Sequence, residues 1–215
     1  AMMLIGGCGN SGEVAKPETI KIGGMAPLTG ALAIYGVTTT NGAELAVKEI
    51  NANGGVLGKK IEYVMLDTKG DSTEAVMAYN KLVDEKVAGI IGEVTSKPTL
   101  AVAEVAVQDN MPLITPTGTQ VDITEVGPNI FRVCFTNPYQ GKVLAITSKE
   151  RLGADTVAVM LNNSSDYSDG IAKAFIEESE KLGMKVMGVE GYSDGDKDFR
   201  PQLTKLAAMN PDVIL

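Results

Sequence analysis

The chain has no histidine in 215 residues and only two cysteines. Without histidine there is no Ser-His-Asp or Cys-His nucleophile system and no zinc site built on imidazole. The commonest general base is missing too, so the chain is not expected to be an enzyme. Two cysteines cannot build a disulfide framework or an all-cysteine zinc site. Cys134, inside Phe131-Arg-Val-Cys-Phe135, reads as a small apolar core residue. Positive charge is scarce: 19 Lys and Arg stand against 27 Asp and Glu, for a formal net charge of -8. A nucleic-acid binder would carry a basic face, so no nucleic-acid partner is expected. No run approaches the roughly 20 apolar residues of a membrane span. Walker A, nucleophile-elbow and HExxH motifs are also missing.

Partial motifs fail on context. Gly7-Cys-Gly-Asn-Ser-Gly12 fits the dinucleotide pattern G-x-G-x-x-G, but it neither follows a strand nor opens a periodic helix. Asp194-Gly-Asp-Lys-Asp198 begins like a calcium loop, yet Phe199 stands where that loop needs glycine and Lys205 where it needs glutamate. Neither a metal nor a cofactor is expected. Asn162-Asn-Ser164 is a glycosylation triplet of the kind that arises often by chance. Cys8 is more informative. Small and apolar Leu4-Ile-Gly-Gly7 precedes it and polar Gly9-Asn-Ser-Gly-Glu13 follows, which resembles the lipobox of a bacterial lipoprotein signal. Residues 1–18 are therefore expected to be a signal remnant and flexible linker, with lipidation at Cys8 as the only membrane attachment of an extracytoplasmic protein.

What the chain does have is 44% hydrophobic residues, enough for one core or two modest ones, in a regular strand–helix alternation from Thr19 onward. Strands are expected at Ile20–Ile22, Lys60–Leu66, Val87–Ile91, Met111–Ile114, Ile130–Val133, Thr156–Leu161, Lys185–Val189 and from Asp212. Between them lie helices with inward residues such as Ala43, Ala46, Val47 and Ile50, then Val76, Tyr79, Leu82 and Val83, then Val143, Ile146 and Thr147. The helix after Asn162 is expected to start at Ile171. Short apolar strands alternating with helices make this an α/β chain of mostly parallel sheets covered on both faces. Residues 118–137 lack helical period and read as a crossover, giving a first lobe at 19–135 and a second, incomplete lobe at 136–215. The last strand reads as interrupted, so a truncated chain is expected.

In open α/β sheets ligands bind beyond the carboxyl ends of strands. Four polar loops follow such ends: Pro27 to Gly36 with Tyr35; Gly92-Glu-Val-Thr-Ser96; Thr115-Pro-Thr-Gly-Thr119; and Asn162 to Asp169 with Tyr167. Each serine or threonine alone is an ordinary cap or turn residue. Four such loops at equivalent ends suit a small polar ligand, held by hydroxyls, aromatic rings and free helix-start amides. Lys97 is expected to turn away along the helix start.

The motifs Pro27-Leu-Thr-Gly30, Tyr35-Gly36, Asn41-Gly-Ala-Glu-Leu-Ala-Val47, Ile50-Asn-Ala-Asn-Gly-Gly-Val-Leu-Gly58, Ile114-Thr-Pro116, Tyr167-Ser-Asp-Gly170 and Gly195-Asp-Lys-Asp-Phe199 together resemble a type I periplasmic binding protein. More narrowly, the resemblance is to the branched-chain (Leu/Ile/Val) branch that serves ABC transporters. It implies two α/β lobes closing on a small amino acid for delivery to permease subunits. By the same resemblance, Ser96 and Thr119 hold the α-carboxylate. The Thr117 carbonyl and Thr119 hydroxyl face the ammonium, and Gly118 belongs to the same turn. Val94 and Thr95 border the site, and Tyr35 and Tyr167 close over it. Family members continue well beyond Leu215, where a tyrosine and an acidic residue complete the ammonium site. A sensor ectodomain recognising an amino acid, amide or aromatic acid would use the same lobes. A cytoplasmic enzyme using Asp67 and Asp71, or a repressor core, fits less well.

Overall fold

A computed structural model describes residues 19–215. The expectations about Cys8 and residues 1–18 lie outside the described residues. The elements run β1 (Thr19–Ala26), α1 (Ala33–Ala52), β2 (Lys60–Asp67), α2 (Ser72–Asp84), β3 (Ile90–Ile91), α3 (Ser96–Ala106), β4 (Leu113–Thr115), β5 (Ile130–Arg132), α4 (Asn137–Glu150), β6 (Thr156–Asn162), α5 (Asp166–Lys181), β7 (Lys185–Tyr192), α6 (Arg200–Met209) and β8 (Val213–Ile214). A 3-10 turn at Val121–Thr124 lies between β4 and β5.

Two parallel sheets result, one in the order β2-β1-β3-β4-β5 and one in the order β7-β6-β8. In the first, β1 has β2 on one flank and β3 on the other. The loops leaving β1 and β3 therefore diverge and open a crevice at the carboxyl edge of the sheet. β6 plays the same part in the second sheet. Tyr79, Leu82, Ile90, Val102, Leu113 and Ile130 pack the core of the first unit, and Val157, Val159, Phe175 and Met184 that of the second. Each of the larger side chains contributes about 1.5–3 kcal/mol by leaving water.

Two helices begin earlier than hydrophobic period suggests. α1 starts at Ala33, so Tyr35 sits on a helical turn and not in a loop. Its buried positions are Gly36 and Thr40, too small or polar to register as an apolar stripe, while Ile50 stays 39% exposed and Ala46 also faces out. α5 starts at Asp166, five residues ahead of Ile171. Ser165 caps it by accepting from the Ser168 amide, and Asp166 and Asp169 complement the positive end of the helix dipole. Tyr167 is thus also helical. On α4 the inward stripe is Gly141, Ala145 and Ser148, with Val143 and Thr147 outside. Small residues are used there because α4 and α5 lie in near backbone contact: a Cβ on Gly141 would stand 2.5 Å from the Ile171 carbonyl oxygen and 2.8 Å from the Phe175 nitrogen.

Arg132 helps to hold the crossover in place. It donates to the carbonyls of Gly118 (3.1 Å) and Gln120 and to Thr124 Oγ1 (2.9 Å). The Asn137 amide then donates to the Thr119 carbonyl at 2.9 Å, tying the start of α4 to the first unit.

Replacing helical glycine by alanine ordinarily stabilises by roughly 0.5–1 kcal/mol. Gly42→Ala, with nothing within 4 Å of the new methyl, is expected to show that gain. Gly141→Ala is expected to lose about 1–3 kcal/mol through overpacking. Thermal melting of the two variants should move in opposite directions.

Candidate functional site

A cavity of about 730 Å³ opens where the carboxyl edges of the two sheets face each other. That lies within the roughly 300–1,000 Å³ range of small-molecule sites. From the first unit it is lined by Leu32 and Tyr35 of the β1–α1 segment, Val94 to Pro98 around the start of α3, and Thr117 and Thr119. Cys134 and Phe135 line it from the crossover, and Gln140, Asn162, Ser164, Asp166, Tyr167 and Asp194 from the second unit.

All the residues expected at a site line this cavity except Gly118. Gly118 instead forms the turn behind it: its amide donates to Thr115 Oγ1 (2.9 Å) and its carbonyl accepts from Arg132. A side chain there would meet Thr115 Oγ1 at 2.7 Å. Cys134 is a correction, since it is half-buried on the cavity wall and not a core residue. Lys97 is exposed and borders the cavity at the helix start.

The polar floor is built by buried hydroxyls. Ser96 is 8% exposed and Thr119 6%, and their oxygens stand 3.5 Å apart. That is too long for a strong hydrogen bond, which leaves both hydroxyls free to turn toward a third polar atom. The first amides of α3, those of Ser96 and Lys97, lack helical acceptors by their position. Pro98 follows at a point where its missing N–H loses no helical bond. Thr117 Oγ1 donates to the Val94 carbonyl and joins the two loops. The rings at the rim are open: Tyr35 is 59% and Tyr167 43% exposed. Tyr167 is steadied by Gln140, whose Nε2 lies 3.2 Å from its hydroxyl.

Behind the floor lies Glu93, fully buried and unremarked among the sequence candidates. Its Oε1 accepts from Thr68 Oγ1 (2.6 Å), and its Oε2 from the Thr95 amide (2.5 Å) and hydroxyl (2.8 Å). Its own carbonyl accepts from Thr99 (2.9 Å) and Thr115 (2.6 Å). Burial raises the pKa of this carboxyl above its ordinary range, and the hydrogen bonds from Thr68 and Thr95 only partly oppose that. A lone acidic residue in a strand–helix joint gives no hint of such burial. The signal was its setting, directly after a buried apolar strand.

Asp67, at the end of β2, organises the neighbouring loop by accepting from the Leu28 amide (2.8 Å), Thr29 Oγ1 (2.6 Å) and the Lys69 amide (2.8 Å). Partial burial raises its pKa, but these bonds together hold it below the ordinary value. Gly36 closes the same loop, since a Cβ there would fall 1.9 Å from the Pro27 carbonyl oxygen.

The cleft thus has a floor of hydroxyls and helix-start amides, and each α/β unit contributes a tyrosine ring to its lining. Residues 19–215 match the family model described as periplasmic binding protein, and the chain belongs to that family. It is 36% identical over 207 residues to the leucine-, isoleucine-, valine-, threonine- and alanine-binding protein of Pseudomonas aeruginosa, covering 96% of this chain and 55% of that one. It is 34% identical over 196 residues to the Leu/Ile/Val-binding protein BraC3 of Rhizobium johnstonii, covering 91% and 53%. Among solved structures it resembles the branched-chain amino acid transporter substrate-binding protein LivJ of Streptococcus pneumoniae in complex with isoleucine. There the TM-score is 0.86 at 38% identity, over 92% of this chain and 56% of that one. The chain thus spans about half the length of the relatives it matches.

The buried carboxyl makes stability pH-dependent in a defined direction. A carboxyl whose folded pKa lies above its unfolded one contributes fully below the unfolded value and loses that contribution as pH rises through the folded value. Glu93→Gln removes this loss. Denaturant unfolding is expected to give matching stabilities for wild type and variant near pH 4, and a growing advantage for the variant as pH rises above the ordinary glutamate range. Asp67 contributes in the opposite sense but equally in both proteins, so the difference isolates Glu93.

Proposed function

We propose that the chain forms the ligand-seating part of an extracytoplasmic solute-binding protein that captures a small branched-chain amino acid and delivers it to an ABC transporter permease. The observation that carries this reading is the pairing of buried Ser96 and Thr119 hydroxyls with the α3 N-terminus, inside a cleft that has an aromatic ring on each side. The amides and hydroxyls suit an α-carboxylate, since unpaired N–H groups and the helix dipole both favour an anion there. The Thr117 carbonyl and Thr119 hydroxyl would accept the ammonium. Leu32, Val94 and Phe135 offer apolar surface to an aliphatic side chain. The names of the relatives, and the isoleucine held by the streptococcal one, support the same class.

Capture proceeds by hinge closure in this reading. Tyr35 on α1 and Tyr167 on α5 approach from opposite sides and exclude water from the seat, which strengthens each polar contact. No catalytic step is involved. No helix of the described residues is long and apolar enough to cross a membrane. Attachment to the membrane would be through lipid at Cys8, with the permease as partner.

Binding is tested by a thermal-shift panel of amino acids on the full-length protein, with mass spectrometry of any solute released on denaturation. Leucine, isoleucine or valine is expected to raise the melting temperature, and no shift with any amino acid would refute the reading. Ser96→Ala is expected to weaken leucine binding by roughly 5- to 150-fold, the range for losing a hydrogen bond to a charged group while leaving buried partners unpaired. Isothermal titration would measure it.

A further inference from the structure

Thr95 occupies the N-cap of α3 with extended geometry, φ -104 and ψ 148. In that position a threonine oxygen ordinarily accepts from an amide two or three residues on. Here it makes no side-chain cap hydrogen bond. Its hydroxyl donates backward to Glu93 Oε2 at 2.8 Å, and its own amide donates to the same oxygen at 2.5 Å. The carboxylate is anchored from its other side by Thr68 Oγ1 at 2.6 Å, and both Glu93 and Thr68 are fully buried. Among the described residues the partners of this carboxylate are hydroxyls and amides, with no cation to draw it elsewhere.

The residue three beyond Thr95 is Pro98, which has no N–H. The amide within capping reach of Thr95 is therefore that of Lys97. Lys97 also lines the cavity beside Ser96, whose buried hydroxyl meets that of Thr119 at a long 3.5 Å. A free threonine at this N-cap would compete with a bound anion for Lys97.

We propose that Glu93 is a positioning residue: by holding the hydroxyl of Thr95 it keeps α3 uncapped, so that the Lys97 amide stays open for the anionic group of the ligand. This deepens the amino-acid reading of the cleft and rests on it. Glu93 touches no ligand itself. Its effect passes through one hydroxyl, and removing that hydroxyl should make Glu93 dispensable.

The test uses amide hydrogen exchange of Lys97 in the ligand-free full-length protein, together with leucine titration. In wild type the Lys97 amide is expected to exchange as an unprotected amide. Glu93→Met, which frees Thr95, is expected to protect it and to weaken leucine binding by about fivefold, the equilibrium equivalent of one helix cap. Once Thr95→Val has removed the hydroxyl, adding Glu93→Met is expected to change neither Lys97 exchange nor leucine affinity any further, which a general loss of packing would not do. Glu93→Gln, which still accepts from Thr95, is expected to leave Lys97 unprotected and serves if the methionine variant fails to fold. Protection of Lys97 in ligand-free wild type, or a double variant that binds leucine about fivefold more weakly than Thr95→Val alone, would overturn the proposal. If wild type binds no amino acid while the exchange pattern holds, the ligand reading fails and the role of Glu93 stands.

Discussion

The cleft depends on strand order. Because β1 is flanked by β2 on one side and β3 on the other, the segments leaving β1 and β3 must part company at the same sheet edge. One carries the chain into α1 with Tyr35, the other into α3 with Ser96. The second sheet repeats the arrangement around β6, whose following segment leads into α5 with Tyr167. No loop has to be long to reach the cavity. Parallel pairing alone brings helix N-termini, and hence unpaired amides, to the edge that faces it.

A second layer of organisation is made by threonines. Thr68, Thr95, Thr99 and Thr115 gather around the side chain and carbonyl of Glu93, joining the ends of β2, β3 and β4 through hydroxyls. The arrangement keeps a carboxyl buried without a cation, at the expense of a raised proton affinity. Gly92 makes the approach possible, since a Cβ there would lie 2.2 Å from the Met25 carbonyl oxygen and its φ of 135 suits only glycine. The floor of the cleft is therefore fixed by its rear wall.

Much of this was legible in the sequence. Apolar strands and helix-period faces such as Tyr79 and Leu82 announce parallel α/β units, and polar residues after strand ends mark where the cleft must lie. Three things were not legible, each for a physical reason. The first turns of α1 and α5 bury glycine and threonine or expose acids, so hydrophobic period misses them. The α4–α5 seam uses Gly141, Ala145 and Ser148, whose value is their small size, not their apolarity. The partner of a hydroxyl cannot be inferred from its type: Thr95 is expected at the border of the site, and only the fold shows that Glu93 takes both of its donors.

The same α4–α5 seam bears on how the cleft could close. Gln140 rides on α4 and Tyr167 on α5, and Gly141 lets the two backbones touch immediately beside them. Under the proposed hinge closure the pair would move together, with the ring's heading set by its bond to Gln140. Such a closure would need a single rotation in place of a rotation followed by a side-chain search.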